Sequence, residues 1–266
     1  MKIADIHAHV FPDTIAQHVA DNFAIYYGTQ MSHVPYLNTY LEEIEKANYT
    51  AGIICSSATK PEQASSINTF ISQCAATSSK LLGLGSLFPT MDGWEEELER
   101  ISELGLRGLK IHPDFQKINM DEPKAIPMYR AIAKAGLPVL FHVGDPKKDY
   151  SSPNRLVNLL RQVPDLIVIA AHFGGWRAWE LPRAIKFPEN IYFDTSSTLM
   201  FLGKELGQDL LEHLGPDRFL FGSDFPYWSP QQELERFMEL DLDNSTREKI
   251  LYGNFETIFL NRGMNP

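Results

Sequence analysis

The sequence predicts an α/β chain folded as a (β/α)8 TIM barrel, a single domain over residues 1–266. Three observations point there. Eight short apolar runs rich in branched residues alternate with segments of helical periodicity. Polar residues recur about one strand–helix unit apart, each at the end of such a run. No glycine-rich dinucleotide loop follows the first strand, which speaks against an open doubly wound sheet.

The first strand, Lys2–Ile6, runs into Asp5-Ile6-His7-Ala8-His9. Residues two apart in a strand share a face, so His7 and His9 are expected to project together, with Asp5 one step below. Two imidazoles on one side of a strand end can grip one cation and leave most of its coordination sphere open. Residues 11–35 form the widest gap and are expected to lie over the barrel mouth as a lid insert. A helix over Tyr36–Asn48 follows from Leu37, Tyr40, Leu41 and Ile44, spaced by three and four. The later strands are Ala51–Cys55, Leu82–Phe88, Leu106–Ile111, Pro138–Val143, Asp165–Ala171, Asn190–Asp194 and Arg218–Gly222. Helices are expected over Glu62–Ser79, Gly93–Leu104, Ala125–Ala135, Pro153–Val163, Leu202–Leu214, Ser229–Leu240 and Ser245–Leu260. Pro153 suits a first helical turn, and Gly105 and Gly136 suit helix ends.

The net charge of −10 argues against a nucleic-acid backbone as the main partner. There is no apolar run near 18 residues and no charged-then-apolar leader, so neither a membrane span nor export is expected. Cys55 and Cys74 make neither a disulfide framework nor a zinc pattern. A buried Cys55 thiol and a reducing, cytoplasmic setting are expected. The partner expected is a small-molecule substrate, and a homo-oligomer is compatible with the sequence.

The polar residues at the strand ends carry the functional argument. They are Lys110 and His112 at strand 4, His142 at strand 5, His172 at strand 6, and Asp224 at strand 8. Thirty residues separate His112 from His142 and again His142 from His172, which is one strand–helix unit. Active sites of such barrels form at these C-terminal strand ends. A lysine pointing into a barrel needs a partner. His18 and His213 read as helix-surface residues, and His33 as lid or surface.

His7-x-His9, His142, His172 and Asp224 on strands 1, 5, 6 and 8 resemble the metal site of the amidohydrolase superfamily. The pieces Gly108-Leu109-Lys110-Ile111-His112-Pro113, Ala171-His172-Phe173-Gly174-Gly175 and Gly222-Ser223-Asp224-Phe225-Pro226 resemble its amidohydrolase-related branch. That branch holds hydrolases, lactonases and nonoxidative decarboxylases of the aminocarboxymuconate-semialdehyde type. The resemblance implies His7, His9, His142 and Asp224 as metal ligands. It sets His172 beside the metal as a weak ligand or acid/base, so Asp224 and His172 are the catalytic pair. Nitrogen-rich ligation with one carboxylate suits one Zn²⁺ per chain, and Mn²⁺ or Fe²⁺ also fit. Zinc brings bound water to a pKa of about 7, and Asp224 would take that water's proton.

Some binuclear relatives carry a carboxylated lysine on strand 4. With His112 the next inward position, one metal is expected, with Lys110 and His112 facing substrate. Phe11, Phe115, Trp176, Tyr227 and Trp228 follow catalytic strand ends, with Arg177, Lys147 and Lys148 among them. Aromatic walls with one or two cations, Trp176 and Arg177 foremost, suit a small planar or cyclic carboxylate. The expected activity is metal-dependent hydrolysis of a small amide, ester or lactone. The alternative is nonoxidative decarboxylation of an unsaturated or aromatic acid on the same site. The chain is short for the decarboxylases of this branch, which favours hydrolysis. A third reading, a noncatalytic metal-binding barrel, is disfavoured by His172 and Asp224 beside the ligands.

Overall fold

The computed structural model describes residues 1–261. Eight parallel strands are present: β1 (Ala4–His9), β2 (Ala51–Cys55), β3 (Leu81–Gly83), β4 (Leu109–Ile111), β5 (Val139–Phe141), β6 (Val168–Ala170), β7 (Ile191–Asp194) and β8 (Phe219–Leu220). They pair as β1-β2-β3 and as β4-β5-β6-β7-β8. Parallel bridges Gly85↔Leu109 and Ala8↔Phe225 join the two sets. Bonds from Ile6 N to Phe221 O and from Asp224 N to His7 O seal the first strand against the last, closing the (β/α)8 barrel.

Strand alternation builds two cores. Ile53, Leu84, Leu140, Ile169 and Leu220 fill the barrel interior, together with Ala4 and Ile6. The C-terminal residues Phe255, Ile258 and Phe259 belong to the same cluster. Leu109, Ile111, Val139, Phe141, Val168, Ile191, Phe193 and Phe219 face outward into the layer shared with the helices.

The helices are α1 (Asp13–Tyr27), α2 (Leu37–Lys46), α3 (Ala64–Ala75), α4 (Trp94–Glu103), α5 (Pro113–Gln116), α6 (Ile126–Lys134), α7 (Pro153–Gln162), α8 (Glu180–Ala184), α9 (Leu199–Leu214), α10 (Pro230–Met238) and α11 (Asn244–Glu248). The C-terminal segment expected as one helix is α11 followed by two π turns, Lys249–Gly253 and Glu256–Leu260.

Two local findings differ from the sequence expectation. The insert after β1 contains a 15-residue helix, α1, which buries only Ala16 and Ala20. Its apolar residues Ile15, Val19, Phe23 and Tyr27 recur every four and line a cavity instead of the core. The pairing of β1 with β2 also shifts register between Asp5 and Ala8. Such an irregularity re-aims side chains. Asp5 does not share the histidines' site: its carboxylate accepts from Tyr40 Oη of α2 (3.0 Å) and from Ser223 N and Oγ (2.9 and 2.6 Å). It ties β1 to the segment after β8, and burial raises its pKa to about 6 against those hydrogen bonds.

Candidate active site

Chemistry-bearing side chains gather at the C-terminal ends of the strands, around a cavity of about 490 Å³. His7, His9, Lys110, His112, His142, His172, Trp176 and Asp224 all line it. Arg177 does not. It is exposed, with its guanidinium over the rings of Trp176 and Phe201 at 5.6 and 5.2 Å. Its φ of 55° puts the residue in a left-handed turn that carries the side chain away from the cavity.

The four imidazoles are oriented by what their other nitrogen touches. His7 Nδ1 donates to Asp194 Oδ2 at 2.7 Å. His9 Nδ1 approaches Cys55 Sγ at 3.6 Å, a sulfur whose own hydrogen goes to Ala8 O. His142 Nε2 donates to Gly144 O at 2.8 Å. His172 Nδ1 faces the carbonyl of Ser196 at 3.2 Å, which can only accept. A neutral imidazole has one donor and one acceptor nitrogen. His7, His142 and His172 therefore turn a lone pair toward a neighbouring imidazole, and His9, raised to about 9 against its burial by Cys55 and Asp224, does so once it loses its second proton.

His7 Nε2 lies 3.1 Å from His9 Nε2, and His142 Nδ1 lies 3.1 Å from His172 Nε2. Asp224 Oδ1 sits 3.5 Å from both His7 Nε2 and His9 Nε2. Facing lone pairs repel unless a cation or a proton lies between them. A carboxylate-oriented histidine, two facing nitrogen pairs and one inward carboxylate form a donor set that suits a divalent cation. Ligand atoms of His7, His9 and Asp224 lie within 4.8 Å of one another. His142 is not part of that closest group and faces His172 instead.

Burial and neighbouring charges together set the electrostatics. Burial and the Lys110 charge push His7 well below the ordinary histidine range. Burial alone would raise Asp224, but His7, His9 and His172 outweigh it and hold the carboxyl well below the usual range. Burial lowers His172 to about 4 despite Asp224 and Asp194. Lys110 is 1% exposed, and burial lowers its pKa as well. Its Nζ lies 2.8 Å from His7 Nε2. His172 and Asp224 both have φ near 60° (61° and 59°), a conformation uncommon outside glycine. The backbone bends sharply there to aim both side chains inward.

Sequence reasoning passed over three residues. Asp194 ends β7 and accepts four hydrogen bonds: from His7 Nδ1, His172 N, Ser196 N and Ser196 Oγ. A carboxylate closing an apolar strand was the available signal. Tyr27, from α1, meets His112 Nε2 at 3.1 Å. Asp114 of α5 is 1% exposed, its oxygens have no partner among the described residues, and burial raises its pKa to about 6. His112 stacks between Phe115 (3.8 Å) and His142 (3.9 Å, 9° between planes). The nitrogens of the two histidine rings already face partners, His112 Nδ1 and Nε2 facing Phe115 N and Tyr27 Oη, and His142 Nε2 and Nδ1 facing Gly144 O and His172 Nε2. Trp228 lies off the cavity and donates to Ser197 Oγ at 2.9 Å.

A family model described as Amidohydrolase matches residues 4–259. The chain belongs to the amidohydrolase family. It is similar to 2-amino-3-carboxymuconate-6-semialdehyde decarboxylase of Dictyostelium discoideum, at 25% identity over 231 residues, 71% of this chain and 64% of that enzyme. The chain thus spans less than two thirds of that curated relative. Among solved structures it resembles a dihydroxybenzoic acid decarboxylase from Polaromonas sp. holding manganese and the inhibitor 2-nitroresorcinol. That likeness has a TM-score of 0.74 and 16% identity, over 98% of this chain and 97% of that one. It also resembles a protein provisionally assigned as a 2-pyrone-4,6-dicarboxylic acid hydrolase from Pseudomonas putida. There the TM-score is 0.70 and the identity 19%, over 97% of each chain. At such identities these structures establish the shared fold.

Proposed function

We propose that this amidohydrolase-family enzyme is a metal-dependent nonoxidative decarboxylase of a small unsaturated or aromatic carboxylic acid. One observation carries the reading. The cavity lining joins Phe11, Phe23, Tyr27, Phe115, Trp176 and Tyr227 to the imidazoles and Lys110. Aromatic side chains accept a planar ring, and a cationic group accepts its carboxylate. The decarboxylase of related sequence supports the same choice over the hydrolysis that the sequence pattern favoured.

In this reading His7, His9, His142 and Asp224 hold one divalent ion, Zn²⁺ or Mn²⁺. When bound there, such an ion would supply Lewis acidity toward the substrate's oxygen atoms. Lys110 adds positive charge beside the same residues. Decarboxylation needs a proton at the carbon that bears the carboxylate; the C–H bond forms, the C–C bond breaks, its electron pair returns to the π system, and carbon dioxide leaves. His172 is the residue proposed to carry that proton. Its Nδ1 lies 3.0 Å from Ser196 Oγ, which donates to Asp194 Oδ1 at 2.7 Å, a path along which a proton can be replaced. Asp224, held ionised, also suits a base for water, and this keeps lactone or amide hydrolysis as the second reading.

The deciding experiment incubates the metal-loaded protein with 2,6-dihydroxybenzoate, with other unsaturated acids, and with a 2-pyrone dicarboxylate. Carbon dioxide release without ring opening is expected. Ring opening without carbon dioxide would transfer the assignment to hydrolysis.

A further inference from the structure

The ring of His112 is fixed between Phe115 and His142, so its two nitrogens have defined partners. The backbone N–H of Phe115 donates to Nδ1 at 3.4 Å. A ring nitrogen that accepts a hydrogen bond carries no proton, which places the proton of the neutral ring on Nε2. Nε2 faces Tyr27 Oη at 3.1 Å. It is therefore the donor there, and the phenol oxygen accepts. Among the described residues Tyr27 has no other hydrogen-bond partner, so its own O–H is unspent.

The ring carrying this hydroxyl is held in place. Tyr27 packs edge-on against Trp176 and Tyr227, at 5.0 and 5.2 Å between centroids. Its neighbour Tyr26 donates to Asp145 Oδ2 at 3.0 Å and accepts from Lys148 Nζ at 3.2 Å, latching the end of α1 to the loop after β5. Tyr27 lines the cavity, where the adjoining wall is apolar. A positioned donor in such a wall rewards an acceptor oxygen on the ligand and penalises a ligand without one.

We propose that Tyr27 is the specificity-determining residue of this site, donating its hydroxyl hydrogen to an anionic or phenolic oxygen of a planar acid. This rests on the reading of the cavity as a slot for such acids. The lid helix then does more than cover the slot: it selects for ligand oxygen, through a donor whose direction the His112 tautomer sets.

Tyr27→Phe removes the hydroxyl and keeps the ring. Titrations of the metal-loaded chain with 2,6-dihydroxybenzoate should show binding weakened about 10- to 100-fold, the range for a hydrogen bond to a charged group. Toluene, a ring without an acceptor, should bind the variant at least as tightly as the parent, because the unpaired hydroxyl is gone. Nitrogen-15 spectra of the parent should show His112 protonated at Nε2. An equal loss for acid and toluene would make Tyr27 mere wall and overturn the assignment. So would unchanged acid binding, a parent that binds no acid, or a His112 protonated at Nδ1. If the variant discriminates as expected but the parent releases no carbon dioxide from any acid, the decarboxylase reading fails and the assignment of Tyr27 stands.

Discussion

Asp194→Asn is the most informative single change outside the proposed ligands. The wild-type carboxylate only accepts, and it accepts from four donors: His7 Nδ1, His172 N, Ser196 N and Ser196 Oγ. An asparagine offers one accepting oxygen and an NH2 group. If the NH2 faces His7, it meets the Nδ1–H and forces that proton round to Nε2, the nitrogen turned toward His9 and Asp224. If it faces His172 and Ser196, three donors meet two hydrogens. Either orientation disturbs a ring that should present its Nε2 lone pair to a metal. Loss of such an orienting carboxylate typically costs 10- to 100-fold in metal affinity, about 1.4–2.8 kcal/mol. The assay is competition for zinc against a chromophoric chelator, with circular dichroism confirming that the variant folds. A folded Asp194→Asn protein that holds zinc as tightly as the parent would refute the orientation argument.

Two further expectations follow. His172→Ala should retain most of its metal while kcat falls by roughly 10²–10⁴, the contribution of a positioned acid or base; elemental analysis beside turnover checks it, and complete metal loss would make His172 a ligand. Asp114→Asn should stabilise the fold above pH 7. The folded-state pKa of about 6 exceeds the ordinary 3.8, so the native state keeps a proton that the unfolded chain loses between these values, and stability falls as pH rises through that window. The gain, at most about 3 kcal/mol, should vanish below pH 4, and urea unfolding at both pH values would show a flat difference if the unpartnered carboxylate carries no cost.

The strand count and the positions of the inward polar residues were legible because barrel strands alternate buried faces. Ala51–Cys55 coincides with its expected span. The other expected strands overlap the observed ones but mostly overrun them, since hydrophobicity continues past the last ladder bond. The expected Leu82–Phe88 ends as a strand at Gly83 in this way, with Leu84, Leu87 and Phe88 buried beyond it. Two things were not legible. The register of β1 shifts between Asp5 and Ala8, and the Asp5 carboxylate bonds Tyr40, Ser223 and the His7 backbone outside the cavity; a period-two pattern carries no mark of it. Helix α1 escaped because it packs its apolar stripe against a cavity, leaving only two alanines buried. Arg177 shows a related limit: sequence gives proximity to a strand end, while the left-handed turn that sets its guanidinium over Trp176 and Phe201 is visible only in the fold.

The closure of β1 against the segment after β8 has a consequence in time. His7 and His9 are made more than two hundred residues before Asp224. At about 5–20 residues per second, the first histidines wait roughly 10–40 s for their carboxylate partner. Through that interval β1 keeps a free edge, because the bonds from Ile6 N to Phe221 O and from His9 N to Phe225 O have no acceptor yet. The proposed metal site is thus a late product of the nascent chain. An ion met early would find only two imidazoles on a bare strand edge, and full affinity arrives with the same segment that seals the barrel.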